Sequence, residues 1–577
     1  MDLLLQINPG LWLVAGGLLV ALLPHQLRKW VMASVPVFAA AVIWATYQAA
    51  PDGMQAGVLQ VGSLELVTYR TDNLSRIWAY IFCFASFLNA IYSWHEKAKI
   101  TDTAAMVYQG AGLAAVLVGD FISLFVFWEL TVISSVFLVW AGGPKAYNAG
   151  IRYMVWHILS GVLLLAGAVM YARANGGDFT FDFVGLDATG GWLILLGIGI
   201  KAGFPLMHMW IEDAYPKASI TGTVILSAFT TKLAIYALAR GFAGTDILIY
   251  IGAIMTVFPV FFAVIENDLR RVLSYSLNNQ LGFMVCAVGI GTPLAINGAA
   301  AHVSAHVIYK ALLFMSMGAV LHRVGTTKAS DLGGLFRSMP FTTVFCLIGS
   351  ASIAAFPLFS GFVTKSMILS AALYDEQWIA LGMMIFASAG VMEHSGIKIP
   401  FFSFFAHDSG MRPKEAPPNM LLAMFIAASF CVIIAMPGVY PWLYTFLPFP
   451  ELGYKPYTTE HVVFELQIMF AAMLAFAYLK RIHLYPAERH AEILDMDVVY
   501  RRWGRGASTW TSAMLTRMGV HFDRWKARGT ASLGRKLSEA FSPAGSMSED
   551  APSGLPAVLT AGVLVLVLIT AYVAAAV

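Results

Sequence analysis

Charged residues are scarce in this sequence. Asp, Glu, Lys and Arg make up only 12% of its 577 residues, while 59% of the residues are hydrophobic. Soluble domains carry roughly 25% charged residues, so a chain this poor in charge lacks the polar groups to cover a surface that faces water. The composition excludes an ordinary soluble enzyme and predicts a protein whose outer surface faces lipid.

Motifs for cofactors and nucleic acids are also lacking. The four cysteines stand singly in apolar stretches, without a CxxC pair: Cys83, Cys286, Cys346 and Cys431. This spacing argues against a disulfide framework and against an iron–sulfur site. There is neither a GxGxxG fingerprint after a strand pattern nor a GxxxxGK[ST] phosphate loop. We therefore expect no cofactor, no metal and no nucleic-acid partner.

Long apolar runs recur along the chain. A membrane-spanning helix needs about 20 apolar residues. On that basis sixteen segments are predicted, at residues 3–23, 31–50, 74–94, 103–119, 121–141, 152–173, 191–214, 220–240, 246–265, 275–291, 297–321, 341–373, 378–405, 419–440, 463–480 and 556–577. The predicted fold is an all-α, multi-pass membrane protein.

A polar connector, residues 481–555, separates the last two predicted spans. It contains 11 Lys and Arg with tryptophans interleaved among them. This mixture favours an amphipathic helix at the membrane surface over residues 490–541. A solvated linker is the alternative interpretation, and it is the one expected for residues 542–556.

Basic residues are divided unevenly between the loops on the two sides of the predicted bundle. The short loops on one side hold 14 Lys and Arg, and those on the other side hold four. The positive-inside rule assigns the richer side to the cytoplasm. The connector is then predicted to be cytoplasmic, with both termini periplasmic, in a bacterial inner membrane.

Two predicted spans are interrupted by a proline in a similar string, around Pro205 and around Pro357. A proline removes a helical hydrogen bond, and in a membrane such a break survives only where it lines protein or water. The breaks lie five helices apart, which predicts two inverted five-helix repeats. The predicted organisation is an N-terminal three-helix region 1–102, repeats 103–240 and 246–405, accessory helices 406–480, the connector 481–555 and a C-terminal helix 556–577.

Four charged residues stand near the middle of predicted spans: Glu129, Lys201, Lys232 and Lys310. Each mid-span charge costs roughly 2.5–3.5 kcal/mol on insertion scales. Structural ion pairs are one interpretation, but the lysines outnumber the central acid. The other is proton transfer: desolvation favours the neutral amine, and a nearby carboxylate favours the ammonium. Movement of Glu129 relative to Lys201 would then load or unload a proton, which an arginine would never release.

Further candidates surround these charges. His302, His306 and Lys310 recur every four residues and therefore share one helix face. Two histidines at this spacing can hold zinc, but without a third ligand we favour a proton or water-wire role; structural hydrogen bonding stays open. Lys365 lies beyond Pro357 in the second broken segment. Lys398 lies seven residues from the end of its segment, so snorkelling to the interface competes with burial.

Several strings resemble the antiporter-like proteins shared by Mrp cation/proton antiporters and the L, M and N membrane subunits of respiratory complex I. They are Phe127–Leu130, Lys201–Leu206 followed by His208, Trp210 and Asp213, Leu273–Ser276 with Gln280–Gly282, His302–Lys310, Gly333–Leu335 and Gly361–Lys365. The resemblance covers roughly residues 70–440. It implies one proton half-channel in each repeat, joined by a hydrophilic axis.

The same resemblance implies roles for individual residues. Glu129 would be the modulating carboxylate, Lys201 the lysine of the first channel, Lys232 a bridging lysine and Lys365 the lysine on the exit side. Residues 397–402 and 407–410 resemble the D-type branch of the Mrp antiporter proteins. The additional spans after the fourteenth depart from that branch and are similar to the layout of the L-type protein of complex I.

Three functional hypotheses follow. The favoured one is a proton-translocating subunit of a multisubunit Na+ or K+/H+ antiporter, with other membrane subunits as partners. The alternative is the proton-pumping membrane subunit of a complex I-like NADH-quinone oxidoreductase or of a membrane hydrogenase-type complex, without a redox site of its own. The third, a scaffold that transports nothing, is disfavoured by the buried lysines. Whether the protein belongs to an enzyme complex stays open, with a transporter favoured.

Overall fold

The computed structural model describes residues 4–62, 64–490, 493, 495–496, 498–540, 542, 559–560 and 562–567. The chain divides into two compact units, Met1–Ile493 and Leu494–Val577. Most of the predicted C-terminal span 556–577, and most of the linker expected at 542–556, lies outside the described residues.

The first half of the first unit is helical apart from one hairpin. Its helices are α1 (Pro9–Leu22), α2 (His25–Ala49), α3 (Asn73–Tyr92), α4 (Lys99–Val116), α5 (Phe121–Trp140), α6 (Tyr147–Ala174), α7 (Gly191–Ala202), α8 (Met209–Ala214), α9 (Ile220–Leu226) and α10 (Thr230–Gly241). Side chains just before several helices fix where they begin. Asp72 and Ser75 form a capping box at α3, and the Asp120 carboxylate caps α5, so amides that lack helical partners are satisfied.

The second half of the unit continues the bundle. Its helices are α11 (Ile247–Ile265), α12 (Leu269–Ile290), α13 (Pro293–Val324), α14 (Pro340–Ile353), α15 (Ser360–Tyr374), α16 (Trp378–Val391), α17 (Pro418–Ile433), α18 (Tyr440–Tyr444) and α19 (Thr459–Arg481). After α16 the chain continues as two π-helical stretches, Met392–Lys398 and Phe401–Phe405. The 32-residue α13 is buried along most of its length and forms the centre of the bundle.

The predicted fold class is confirmed. Each of the first fifteen predicted segments falls on one helix or on two or three successive helical pieces. Among the described residues, eight helices are long and apolar enough to cross a membrane, and several shorter apolar helices accompany them.

A β-hairpin lies where the sequence analysis predicted only a loop. Strands β1 (Met54–Val61) and β2 (Leu64–Thr71) pair antiparallel, and Gly62 at the turn adopts a φ of +61°. The hairpin also bonds to the chain between α4 and α5, where the Val67 amide donates to the Asp120 carboxylate at 2.8 Å. Its strands are stabilised by partners distant in sequence, which a search for helical runs does not reveal.

The two predicted breaks are present and share a local backbone path. Around Pro205, Gly203 and Leu206 have φ values of +77° and +72°; around Pro357, Ala355 and Leu358 have values of +63° and +74°. Left-handed backbone at a non-glycine residue costs about 1–2 kcal/mol. Surrounding packing must therefore hold both breaks open. The inverted repeat itself stays a prediction.

The second unit contains α20 (Arg505–Ala540), preceded by a π-helical turn, Val499–Gly504. Its described side chains are exposed, among them Trp510, Phe522 and Trp525. A helix thus occupies most of the stretch for which an amphipathic helix was favoured over a linker. Its location at a membrane surface stays a prediction.

Candidate functional site

Besides Lys29 of α2, five described lysines are buried in the bundle, none with more than 1% of its surface exposed: Lys201, Lys232, Lys310, Lys365 and Lys398. They lie in α7, α10, α13, α15 and the π-helical stretch after α16. All five were candidates from the sequence. Lys398, for which snorkelling competed with burial, is fully enclosed.

Lys201 is held by helix α5. Its Nζ donates to the Trp128 carbonyl at 2.6 Å and to the Thr131 hydroxyl at 3.0 Å, and it lies 4.2 Å from the centre of the Trp128 ring. Glu129, on the same helix, interacts with Lys201 electrostatically but forms no hydrogen bond with it. Its Oε1 has no hydrogen-bond partner among the described residues. Among the described residues, Glu129 and Lys201 therefore interact without a closed ion pair.

Helix α6 completes this group with two residues that the sequence analysis did not select. His157 is fully buried between Tyr153 and Trp210, with ring centres 4.1 Å and 4.3 Å away, and it interacts electrostatically with Lys201. Neither of its ring nitrogens has a hydrogen-bond partner in the described part of the chain. Gly161, one turn further, packs its backbone against the Glu129 carboxylate.

Lys232 lies just after the break between α9 and α10. Its Nζ donates to the Ser227 carbonyl at 2.5 Å and to the Thr231 hydroxyl at 3.2 Å. The break frees carbonyl groups that a continuous helix would use internally. Among the described residues, Lys232 therefore has polar partners but no carboxylate partner.

Helix α13 carries the histidine stripe, and its members differ in bonding. Both ring nitrogens of His302 have protein partners, the Thr364 hydroxyl and the Gln280 side-chain oxygen, each at 3.0 Å. His306 and Lys310 have no hydrogen-bond partner among the described residues. Both interact electrostatically with Lys232.

Lys365 of α15 is an electrostatic neighbour of His302. Its Nζ is 4.9 Å from the centre of the Phe283 ring, and no hydrogen-bond partner is described for it. Glu465 of α19 interacts with it electrostatically. A second lysine therefore faces a carboxylate from another helix without a closed ion pair.

Lys398 differs from the other four because it has an ion pair. Its Nζ lies 3.2 Å from the Glu488 carboxylate and 2.5 Å from the Val264 carbonyl. Glu488 belongs to the first residues of the predicted connector, where Tyr485 is also buried and donates a hydrogen bond to Glu393. The start of the connector is thus part of the bundle.

His394 is an electrostatic neighbour of three of the buried lysines. It is fully buried in the π-helical stretch and interacts electrostatically with Lys310, Lys365 and Lys398. Short π-helical segments often occur at functional sites. Electrostatic neighbours thus form a continuous series from Lys232 to Lys398, whereas Glu129, Lys201 and His157 form their own group.

The remaining candidates lie around the first break. His208 is buried in the broken stretch between α7 and α8, with its ring 4.6 Å from that of Phe258. Asp213 pairs with Arg152 at 2.7 Å and with Lys217 at 2.5 Å. Its carboxylate is therefore held by two cations of its own.

The count of acids needs correction. The sequence analysis took Glu129 as the one central acid, but Glu393, Glu465 and Glu488 are also largely buried beside lysines. Glu393 stands in the middle of predicted segment 378–405, so its position alone was sufficient to identify it as a buried acid. Glu465 is the third residue of its segment, and Glu488 lies in a polar stretch, so neither stood out.

The sequence and the fold of this chain were compared with those of known proteins. Residues 118–392 match the family described as NADH:quinone oxidoreductase/Mrp antiporter, transmembrane. The matched part of the chain carries the candidate residues from Glu129 to Lys365. The resemblance noted in the sequence and the multi-pass membrane location are confirmed, and a bacterial plasma membrane is consistent with them.

Two curated relatives show the range of the class. The D-type member of the Na(+)/H(+) antiporter of Alkalihalophilus pseudofirmus is 32% identical over 314 residues, covering 50% of this chain and 63% of that protein. Hydrogenase-4 component B of Escherichia coli is 27% identical over 434 residues, covering 64% and 62%. The match spans less than two thirds of the length of each relative.

Solved structures share the fold. A chain of the Mrp complex from Dietzia sp. has a TM-score of 0.69 at 21% identity, covering 84% of this chain and 100% of that chain. A chain of the archaeal membrane-bound sulfane sulfur reductase has a TM-score of 0.68 at 20% identity, covering 97% and 99%. These likenesses show that the chain has the antiporter-like membrane fold.

Proposed function

We propose that this chain is a proton-translocating subunit of a multisubunit Na+ or K+/H+ antiporter. Protons would enter at Glu129 and Lys201, cross from that group to the separate series that begins at Lys232, and leave beyond Lys365. Other membrane subunits of such a complex would be its partners. The similarity to the D-type antiporter protein supports this choice of complex.

One observation carries the proposal: four buried lysines have no ion pair among the described residues, namely Lys201, Lys232, Lys310 and Lys365. A structural pair in the same chain looks different. Lys29 bonds to both oxygens of Asp102, at 2.7 Å and 2.8 Å. Each unpaired ammonium would cost several kcal/mol in lipid. The neutral amine is therefore accessible, and protonation can respond to small movements of nearby charges.

The role of Glu129 follows from its open pairing with Lys201. Approach of the carboxylate stabilises the ammonium, and retreat favours release of the proton. His302 supports a relay role better than a metal role, because both of its ring nitrogens already bond to Thr364 and Gln280. We retain it as a proton or water-wire residue.

The test is transport by vesicles that contain the whole complex. Lys201→Ala should lower the rate at which added Na+ or K+ collapses a pH gradient by at least about 100-fold, the scale of a positioned proton-transfer group. Glu129→Gln should be nearly as severe and Glu129→Asp milder. Lys145→Ala, at an exposed loop residue, is the control. Wild-type rates with Lys201→Ala at normal assembly would refute the proposal.

The second candidate is a proton-pumping subunit of a redox complex. The archaeal reductase chain covers 97% of this chain, whereas the Mrp chain covers 84%. The additional residues that only the reductase chain matches favour the redox complex. Relatives such as hydrogenase-4 component B point the same way. Purification of the native complex separates the two: iron–sulfur or flavin subunits would support the redox complex, and small hydrophobic antiporter subunits the first proposal.

A further inference from the structure

We propose that Glu465 of α19 accepts the proton from Lys365, and that the cavity beside it is the outlet of the second half-channel. The inference rests on the proposed function, because it assumes that Lys365 carries protons. It assigns a transport role to a helix that lies beyond residues 118–392, the part matched by the family.

The packing of α19 supports this assignment. Most side chains of the 23-residue helix face outward, and its buried residues are Glu465, Met469 and Phe476. Spacings of four and seven residues place them on one face of the helix. A carboxylate is thus part of the narrow stripe with which α19 packs on the bundle. A glutamate without a partner inside the bundle can turn its side chain outward. The inward position of the Glu465 carboxylate therefore requires an explanation.

The neighbour of Glu465 provides one. Glu465 and Lys365 interact electrostatically, yet neither Glu465 Oε1 nor Lys365 Nζ has a hydrogen-bond partner among the described residues. A buried polar group without a partner costs about 1–3 kcal/mol, and more if it is charged. A closed ion pair would reduce this cost but would hold the proton on lysine. The open arrangement instead suits transfer.

A cavity of about 380 Å³ lies beside Glu465, between α15, α16 and α19. It is lined in part by Ser366, Ser370 and His461. The Ser370 hydroxyl lies 3.2 Å from His461 Nε2 and 3.0 Å from the Tyr454 hydroxyl. The space is large enough for several water molecules, and the polar groups in its mainly apolar lining would give them hydrogen-bond partners. It lies at the end of the bundle where α15 ends and α19 begins, which the loop charges assign to the periplasm.

The transfer is balanced in charge and atoms. The N–H bond of the Lys365 ammonium breaks and an O–H bond forms on Glu465, so that an ammonium and a carboxylate become an amine and a carboxylic acid. The net charge of the pair is zero before and after, which limits the cost of the step in lipid. The acid then releases its proton to water in the cavity, and the next proton reprotonates Lys365 from the side of His302.

The experiment compares four variants of the whole complex in vesicles. Glu465→Gln should lower the rate of pH-gradient collapse at least about 10-fold, and Glu465→Asp should recover part of that loss because it keeps the acid. Glu451→Gln removes a charge from an exposed residue outside the lining of this cavity and should leave the rate unchanged. Lys365→Ala should lose transport. A wild-type rate with Glu465→Gln overturns the inference.

The variants also separate this inference from the proposed function. If Lys365→Ala abolishes transport while Glu465→Gln does not, the proposed function stands and the inference fails. If Lys365→Ala transports normally, the proposed function fails at this lysine, and the inference falls with it.

A measurement on the unmodified complex covers the case in which Glu465→Gln does not assemble. An apolar carbodiimide reacts with carboxylic acids that are protonated in a low-polarity environment. Peptide mass spectrometry should find the label on Glu465 and not on the exposed Glu451. Absence of label on Glu465, with Glu129 labelled in the same sample, would overturn the inference.

Discussion

Gly161→Ala tests the position of the Glu129 carboxylate without changing any charge. A Cβ at Gly161 would overlap Glu129 Oε1 and lie 2.6 Å from its Cδ, whereas ordinary contacts begin near 3.4 Å. The carboxylate must therefore move by about 0.8 Å or more. A displacement near 1 Å of a reacting group costs up to about 100-fold in rate. We expect Gly161→Ala to lower the transport rate between 10- and 100-fold.

The control and the rescue make this prediction specific. Alanine is favoured over glycine in a helix by about 0.5–1 kcal/mol, so the change should not destabilise α6 by propensity. Gly382→Ala, where a Cβ meets nothing within 4 Å, makes the same chemical change and should be silent. Gly161→Ala combined with Glu129→Asp should transport better than Gly161→Ala alone, because the shorter acid vacates the space. A normal rate with Gly161→Ala, or no rescue in the double variant, would refute the reasoning.

Two further predictions concern the Lys398 ion pair and the topology. Lys398→Ala leaves the largely buried Glu488 carboxylate without its ammonium and should lower the stability by about 3–5 kcal/mol, measured as a lower Tm of the purified complex. Adding Glu488→Gln should recover most of the lost stability. An unchanged Tm in the single variant would contradict the pairing. Reporter fusions at Gly545 and at the C-terminus should report cytoplasm and periplasm respectively, and periplasmic activity at Gly545 would reverse the assignment.

Much of the architecture could be predicted from the sequence because a lipid bilayer restricts the length and the charge of the segments that cross it. Apolar runs long enough to cross it stand out, and each mid-span charge is too costly to be accidental. Lys201, Lys232 and Lys310 were found in this way. The prolines of the two breaks were visible because each stands in a similar local string, whereas Pro36 and Pro259 lie inside the continuous helices α2 and α11.

Other features depended on contacts that the sequence does not display. The hairpin at residues 54–71 is stabilised by pairing and by a bond to Asp120, not by a long pattern of its own. Glu465 and Glu488 are close to the ends of apolar runs, where charges are ordinary. Only the packing of α19 and of residues 482–490 on the bundle shows that both point inward.

Lys201 and Lys365, the two lysines near the proline breaks, suggest a function for helix α19. Lys201 precedes its break and faces Glu129 of α5, whereas Lys365 follows its break and faces Glu465 of α19. A lysine that must release its proton in lipid needs a carboxylate close enough to stabilise the ammonium, yet not so close that a permanent ion pair forms. Helix α5 lies within the part matched by the family, and α19 lies outside it. If both lysines titrate, the second half-channel depends on an acid from beyond that part, and truncation after α18 would disable it while leaving the first half-channel intact.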